Sequence, residues 1–304
     1  MIAFCVRRLL WMAATLWVVF TVTFFLVRAV PGGPFDAERE QPEEVRANLR
    51  AKYNLDAPLH EQYLTTLWEM AHGDLGYSMK MDISVNEIVA DGFPVSASLG
   101  LLALTFAILL GLTTGVVSAL FRGSAGDVLL RLAATVGIAL PNFVIAGVAI
   151  IVFVFWIPLL PAAGWGSPRQ MILPAFCLGA PYAAYVARIS RTSMLDVLSQ
   201  DHIRTAKAKG VGPVRVALVH ALRGALLPVV SFIGPAIAGI LTGSLVVEKL
   251  FAVPGIGTYF VDAALQRDLT LSMGVVMLYT LLLYSMNFLV DLSYAVLDPR
   301  VKLE

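Results

Sequence analysis

The stretch Asp201-His-Ile-Arg-Thr-Ala-Lys-Ala-Lys-Gly210 is short, basic and rich in alanine, and it lies between two long apolar runs. It predicts a short helix with an acidic residue in its first turn and lysines in its last, the order of charges that the helix dipole favours. Gly210 is suited to end this helix, because glycine adopts the left-handed backbone conformation without strain. A helix of about two turns is marginal in water by itself. Segment 199–212 is therefore predicted to be a basic helix that packs against another protein.

The composition of the whole chain is that of a membrane protein. Hydrophobic residues make up 58 % of the sequence, charged residues 14 %, and the mean hydropathy is +0.79, which lies outside the range of soluble globular domains. About 20 apolar residues in a helix cross a bilayer core. Six stretches reach this length and predict six transmembrane helices at 9–30, 96–120, 132–157, 172–190, 225–248 and 271–292.

The predicted spans have no ionisable residue in their central portions, which disfavours a carrier driven by an ion gradient. Arg28, Glu248 and Asp291 lie at span ends, where we expect their side chains to reach the membrane interface. Pro141 and Pro228 should kink the third and fifth spans.

Glycines at a spacing of four residues in the second span have the pattern that lets helix backbones approach closely in lipid. Gly111 and Gly115 form this pair. The pattern favours helix packing over the alternative, the wall of a narrow pore.

Basic residues orient the chain in the membrane. With the N-terminus inside, thirteen Lys and Arg residues fall on the cytoplasmic side and three in the two short outer loops, so both termini are expected in the cytoplasm. The first apolar run follows Arg7 and Arg8 as in a signal peptide. It is too long for one and no cleavage site follows, so an uncleaved first span is expected. Cys5 and Cys177 lie on a cytoplasmic flank and inside a span, and no disulfide is expected.

Segment 31–95 is the one sizeable water-facing excursion on the outer side. It opens on a Pro/Gly turn at 31–34, and Ser84 and Glu87 have the spacing of a capping box. One helical face is formed by Leu59, Tyr63, Leu67 and Met70. The segment is predicted to be a cap of short helices, either a passive solubilising loop or a docking surface for an external partner.

Sequence motifs of common catalytic sites are missing from the chain. It has no G-x-x-x-x-G-K-[ST] for nucleotide phosphates, no H-E-x-x-H, and no G-x-S-x-G with a plausible histidine partner. All four histidines fall in water-facing segments without a second metal-type ligand nearby: His60, His72, His202 and His220. We therefore expect no catalytic, cofactor or metal site, and energy for any uphill transport must come from another chain.

Several motifs in order along the chain resemble ABC importer permeases of the peptide/nickel group, and most closely the B-type permeases of oligopeptide importers. The basic stretch 201–210 departs from the general importer motif, which begins Glu-Ala-Ala, because the matching positions are Arg204, Thr205 and Ala206. No role is carried over for the missing glutamate. The matching segments are Pro31-Gly-Gly-Pro34-Phe35, Ala51-Lys-Tyr-Asn-Leu55, Gln62-Tyr63, His72-Gly-Asp-Leu-Gly76, Ser84-Val85, Phe93-Pro-Val-Ser96, 203–210, Phe251-x-x-Pro-Gly-Ile-Gly257 and Leu297-Asp-Pro-Arg300.

The resemblance implies an all-α integral membrane protein with six transmembrane helices and the type I ABC importer permease fold. Residues 1–95 would hold the first transmembrane helix and a periplasmic cap of short helices, and residues 96–304 a five-helix permease core with a coupling helix at about 199–212. The implied ATPase-coupling residues are Asp201, Arg204, Thr205, Ala206, Lys207, Lys209 and Gly210. No residue of the substrate pathway is assigned.

The implied function is that of a non-catalytic permease subunit in the bacterial cytoplasmic (inner) membrane, forming half of the translocation pathway of an ATP-driven oligopeptide importer. The implied partners are a homologous second permease, two ABC ATPase subunits that bind ATP and Mg²⁺, an extracytoplasmic peptide-binding protein, the peptide and membrane lipid, with no nucleic acid. The same architecture could import dipeptides, nickel chelates or another small solute. The alternative from a different class is a stand-alone channel or scaffold.

Overall fold

The computed structural model describes residues 2–29, 53 and 55–297, and in these residues the chain is helical, with one isolated bridge between Tyr77 and Ser84. The motifs at 31–35 and 298–300 and the first part of the outer segment lie outside the described residues. The α-helices are α1 (Ile2–Ala29), α2 (Leu59–Ala71), α3 (Val85–Leu120), α4 (Ala125–Ala139), α5 (Asn142–Ile150), α6 (Pro168–Leu198), α7 (Asp201–Ala208), α8 (Pro213–Arg215), α9 (Leu222–Ala225), α10 (Leu227–Leu250), α11 (Ile256–Gln266) and α12 (Leu269–Leu297). Two π-helical turns follow α5 and α8, at Ile151–Trp156 and Val216–Ala221.

Four helices of the described chain, α1, α3, α6 and α12, are long and apolar enough to cross a membrane, and the number is six if each of two bent pairs is one span. One pair bends by 115° between α4 and α5, and the other by 54° between α9 and α10. The bends lie beside Pro141 and Pro228, where a proline lacks the N–H of a continuous helix. The predicted kinks are confirmed.

Helices α3 and α6 form the most extensive helix pair of the structure, and glycines bring their backbones together. A Cβ atom on Gly115 would lie 2.6 Å from the carbonyl oxygen of Ala187, and one on Gly179 would lie 2.4 Å from that of Ala103. Gly111 meets α6 in the same way. The helix packing predicted from the glycine spacing is confirmed. Helix α3 also runs without a break through residue 95, where the sequence placed the end of the cap.

The outer segment packs on the ends of α1 and α12 through one face of α2. Tyr63, Leu67 and Met70 contact a buried aromatic cluster there, and the Tyr63 and Phe24 ring centroids are 5.3 Å apart. Three members of the predicted face are thus confirmed. The prediction for Leu59 is wrong, because this residue is the first of α2 and its side chain is 56 % exposed.

The predicted capping box at the start of α3 is also wrong. Ser84 is the N-cap residue, but its side chain makes no capping hydrogen bond. Asn86 takes over the local fixing role, because its Oδ1 accepts from the backbone N–H of Leu75 at 2.8 Å and its Nδ2 donates to the carbonyl of Gly73 at 2.6 Å. The side chain therefore ties the loop after α2 to the first turn of α3.

The three ionisable residues at span ends have different environments. Asp291 pairs with Arg8, which holds the end of α12 beside the start of α1, so the two helices are antiparallel. Arg28 donates to Oε1 of Gln62 at 3.1 Å and ties α1 to α2. Glu248 was expected at the interface, and this is wrong: its side chain is fully buried, because the loop after α10 folds back over it.

Candidate coupling surface

Helix α7 occupies the centre of the predicted coupling segment. It begins at Asp201 and ends at Ala208, with Asp201 in its first turn and Lys207 in its last. Lys209 is the C-cap residue. The charges therefore complement the helix dipole as the sequence predicts.

The C-terminus of α7 depends on a glycine. Gly210 has φ +79°, its N–H donates to the carbonyl of Lys207 at 2.9 Å, and the N–H of Val211 donates to the carbonyl of Ala206 at 3.2 Å. These two bonds form a Schellman motif, which ends a helix on a left-handed residue. A Cβ atom at position 210 would meet no atom within 4 Å, so the backbone conformation, not space, requires glycine here.

One face of α7 anchors the helix to the rest of the chain. Ile203 is fully buried and Ala206 is 8 % exposed, and both belong to the inner cluster, a name used here for the buried apolar side chains between α7 and the helices around it. The inner cluster consists of Val116, Ala119, Met194, Val197, Ile203, Ala206, Val216, Ala217, Ala221 and Ala225. Helix α7 is thus joined to α3, α6 and the segment leading into α10 through one cluster of buried apolar side chains.

The opposite face of α7 is exposed and polar. Asp201, Arg204, Thr205 and Lys207 are exposed along the helix, and Lys209 and Gly210 are exposed at its end. The Arg204 guanidinium lies 3.1 Å from Asp201 Oδ1, and an ion pair in this exposed setting adds little stability. Six of the seven proposed coupling residues share this surface. Ala206 instead faces the inner cluster, so its side chain supports α7 from beneath.

A buried ion pair beside this surface was missed by sequence reasoning. Asp127 is 1 % exposed and accepts two hydrogen bonds from Arg191, each 2.9 Å long. It also accepts from the Ser118 hydroxyl at 2.6 Å and from the Gly123 N–H at 2.9 Å. The pair joins α3, α4 and α6 at the end of the bundle that carries α7. The sequence signal for this pair was Asp127, an acidic residue at the start of an apolar helix. The basic residues near it were used only to predict the orientation of the chain in the membrane.

The outer end of the bundle has a second buried carboxylate. Asp268 is 1 % exposed and accepts from the Ser78 hydroxyl at 2.5 Å and from the backbone N–H of Leu271 at 3.0 Å. It therefore caps α12 and at the same time holds the outer hairpin at 76–84. Among the described residues, no group of three or more His, Cys, Asp or Glu side chains is placed to hold a metal ion.

Comparison with protein families gives two matches that together cover nearly the whole chain. The model of binding-protein-dependent transport system inner membrane components matches residues 107–303. The model of the N-terminal part of binding-protein-dependent transport system membrane components matches residues 1–100. The first match alone includes the whole of α7 and every residue of the inner cluster.

Individual relatives agree with the family match. The oligopeptide transport system permease protein OppB of Haemophilus influenzae is 45 % identical over 99 % of this chain and 100 % of its own length. The dipeptide transport system permease protein DppB of Bacillus subtilis is 46 % identical over 100 % of this chain and 99 % of its own. Among solved structures, an amino acid ABC transporter with histidines is similar with a TM-score of 0.51 at 16 % identity, covering 68 % of this chain and 93 % of that one. This last similarity concerns the fold alone.

Proposed function

The chain belongs to the family of binding-protein-dependent transport system inner membrane components and is a multi-pass permease subunit of an ABC importer, and we propose that α7 is the element through which ATPase subunits drive it. The observation that carries this proposal is the arrangement of α7. The helix presents a polar, mostly cationic surface on one side and inserts Ile203 and Ala206 into the inner cluster on the other.

The mechanical path begins at the Ile203 side chain. Because this side chain is fully buried in the inner cluster, which also contains side chains of α3 and α6, a displacement of α7 would pass to both helices through this cluster. The bent segment after α8 contacts the same cluster and continues into α10. Movement of the ATPase pair would therefore tilt three membrane helices together and alternate the pathway between its two open states.

The energy source in this proposal is outside the chain. The sequence has no phosphate-binding loop, so ATP and Mg²⁺ would be bound by two ABC ATPase subunits and this subunit would be non-catalytic. A homologous second permease would complete the pathway. The excess of basic residues on the α7 side supports placing α7 and both termini in the cytoplasm.

The outer cap is the proposed contact for an extracytoplasmic binding protein. Helix α2 is fixed to α1 by the hydrogen bond between Arg28 and Gln62, and the hairpin at 76–84 is fixed to α12 by Asp268. A cap held at two points offers a surface of constant shape, which suits docking better than a loose solubilising loop.

We propose oligopeptides as the cargo, with dipeptides as the second candidate. The two relatives named for these cargoes are 45 % and 46 % identical to this chain, so identity alone does not separate the candidates. Uptake of a labelled tripeptide in competition with unlabelled peptides of graded length separates them. Competition by dipeptides alone would reject the oligopeptide assignment.

Cross-linking tests the coupling role directly. A cysteine at position 205, in a chain whose Cys5 and Cys177 are replaced by serine and alanine, should cross-link to an ATPase subunit in intact membranes. The yield should change when a non-hydrolysable ATP analogue is added. Arg122→Cys is the matched control, because Arg122 is exposed at the same end of the bundle but outside α7.

Two results would reject the coupling proposal. One is a cross-link from position 122 to the ATPase with none from position 205. The other is transport by the purified chain alone, downhill and without nucleotide, which would instead support a channel.

A further inference from the structure

A basic cavity of about 400 Å³ lies between α3, α4 and α6, at the end of the bundle that carries α7. Its lining includes three arginines, Arg131, Arg188 and Arg191, and no acidic side chain from the described part of the chain. Arginine guanidinium groups bind phosphate and carboxylate through paired N–H donors. The lining is therefore that of a site for an anion.

The positive charge of this cavity is only partly neutralised from behind. Asp127 accepts two hydrogen bonds from Arg191 and lies 3.4 Å from the Nε atom of Arg131. Arg188 is exposed and makes no ion pair with any described residue. One carboxylate pairs with two of the three guanidinium groups, so a net positive charge remains. The pair with Asp127 also fixes the Arg191 side chain in place. Arg131 and Arg188 keep N–H groups that can donate to a bound anion.

An apolar groove continues from the basic cavity. The second cavity, of about 430 Å³, shares four lining residues with the first: Thr114, Leu130, Ala134 and Ala187. It then runs along the bend between α4 and α5 toward Phe153 and Phe176. Apart from Thr114, every residue of its lining is apolar. The basic cavity and the apolar groove are thus continuous with each other.

We propose that this composite cavity binds an anionic phospholipid, with the phosphate held by Arg131, Arg188 and Arg191 and an acyl chain in the groove. A free phosphate would leave the groove unused, and a neutral lipid would leave the excess positive charge without a counterion. The three arginines fall at the ends of the predicted spans 132–157 and 172–190, where lipid headgroups are expected, and the groove continues along the same helices away from these ends. The occupant fills the space opened by the bend at Pro141 and fixes α4 against α6.

The test uses the purified permease–ATPase complex, stripped of lipid and titrated with phosphatidylglycerol or phosphatidylcholine under native mass spectrometry. The double variant Arg131→Gln/Arg188→Gln removes two positive charges and leaves the buried Asp127–Arg191 pair intact. We expect its affinity for phosphatidylglycerol to fall about fivefold for each arginine removed, since a basic residue near an anionic lipid surface contributes about 1 kcal/mol. Phosphatidylcholine binding should not change.

The charge-matched control is Arg7→Gln/Arg122→Gln, which removes two exposed arginines outside the cavity and should leave phosphatidylglycerol affinity within twofold of the wild type, as a rough bound for exposed charges. Ala134→Phe fills the junction of the two cavities and keeps all three arginines. It should abolish phosphatidylglycerol retention while inorganic phosphate still binds. Equal binding of the two lipids by the wild type, or equal losses in the test and control doubles, would overturn the proposal.

A photo-cross-linking residue at position 136, in the groove, distinguishes lipid from protein as the occupant. Capture of phospholipid in native membranes is expected. Capture of the second permease in place of lipid would overturn the proposal and assign the groove to a subunit interface. The coupling role of α7 is tested separately, since none of these residues lies in α7.

Discussion

A Cβ atom placed on Gly255 would lie 2.3 Å from Oε2 of Glu248 and 2.5 Å from the Ser96 hydroxyl. The loop after α10 therefore folds directly over a buried carboxylate, and Gly255 is the point of closest approach. The N–H of Gly257 donates to the same Oε2 atom at 2.8 Å. Glycine is required at position 255 by space, since its φ of −98° is open to any residue.

Gly255→Ala is predicted to destabilise the protein by about 1–3 kcal/mol, because the added methyl group forces the loop away from the Glu248 carboxylate. Thermal unfolding in detergent measures the change. Gly147→Ala is the matched control, since a Cβ atom there meets no atom within 4 Å and alanine favours a helix more than glycine does. An equal loss of stability in both variants would contradict the packing described at Gly255.

Glu248→Gln is predicted to fold with nearly wild-type stability, and Glu248→Leu to lose about 1–3 kcal/mol. Glutamine keeps an oxygen that accepts from the Gly257 N–H and removes a charge that is costly to bury. The Oε1 atom of Glu248 has no hydrogen-bond partner in the described structure, so replacing this oxygen by the amide NH2 group breaks no existing hydrogen bond. Thermal unfolding in detergent again decides. Equal and large losses in the glutamine and leucine variants would show that the charge itself is needed.

Asp127→Ala is predicted to lower the free energy of unfolding by about 3 kcal/mol, because it leaves the largely buried Arg191 guanidinium without its carboxylate. Arg131 is the exposed partner of the same carboxylate, and its own side chain is 52 % exposed. Arg131→Ala should therefore lower the free energy of unfolding by less than about 1 kcal/mol. The measurement is the midpoint of thermal unfolding for each variant. Similar midpoints for the two variants would mean that the buried pair contributes no more than a surface contact.

Local signals in the sequence were enough to predict the parts of the fold that depend on neighbouring residues. The order of charges and Gly210 gave α7 within two residues at its start, and Pro141 and Pro228 located both bends. These features depend on backbone conformation and short-range electrostatics. The sequence carries that information in adjacent positions.

Contacts between distant segments could not be predicted from a single sequence. Asp127 and Arg191 are 64 positions apart, and neither has a local pattern that names its partner. Glu248 was predicted to lie at the interface because it is a charged residue at the end of an apolar run. Hydropathy carries no information about the loop that covers its side chain. Ala206 lies within the basic motif, and its burial depends on helices that approach only in the folded chain.

Gly210→Val is predicted to uncouple ATP hydrolysis from uptake in the assembled transporter. Valine at φ +79° is strained by about 1–2 kcal/mol, so the Schellman bonds that end α7 would break and the helix end would shift against the ATPase. Membrane insertion should be retained, because the residue is exposed and contacts no neighbouring helix. Gly212→Ala is the control two positions away, where φ is −63° and alanine fits without strain. The measurement is peptide uptake per ATP hydrolysed in proteoliposomes. Wild-type coupling in Gly210→Val, with the protein correctly inserted, would show that the shape of this helix end is irrelevant to the transfer of force.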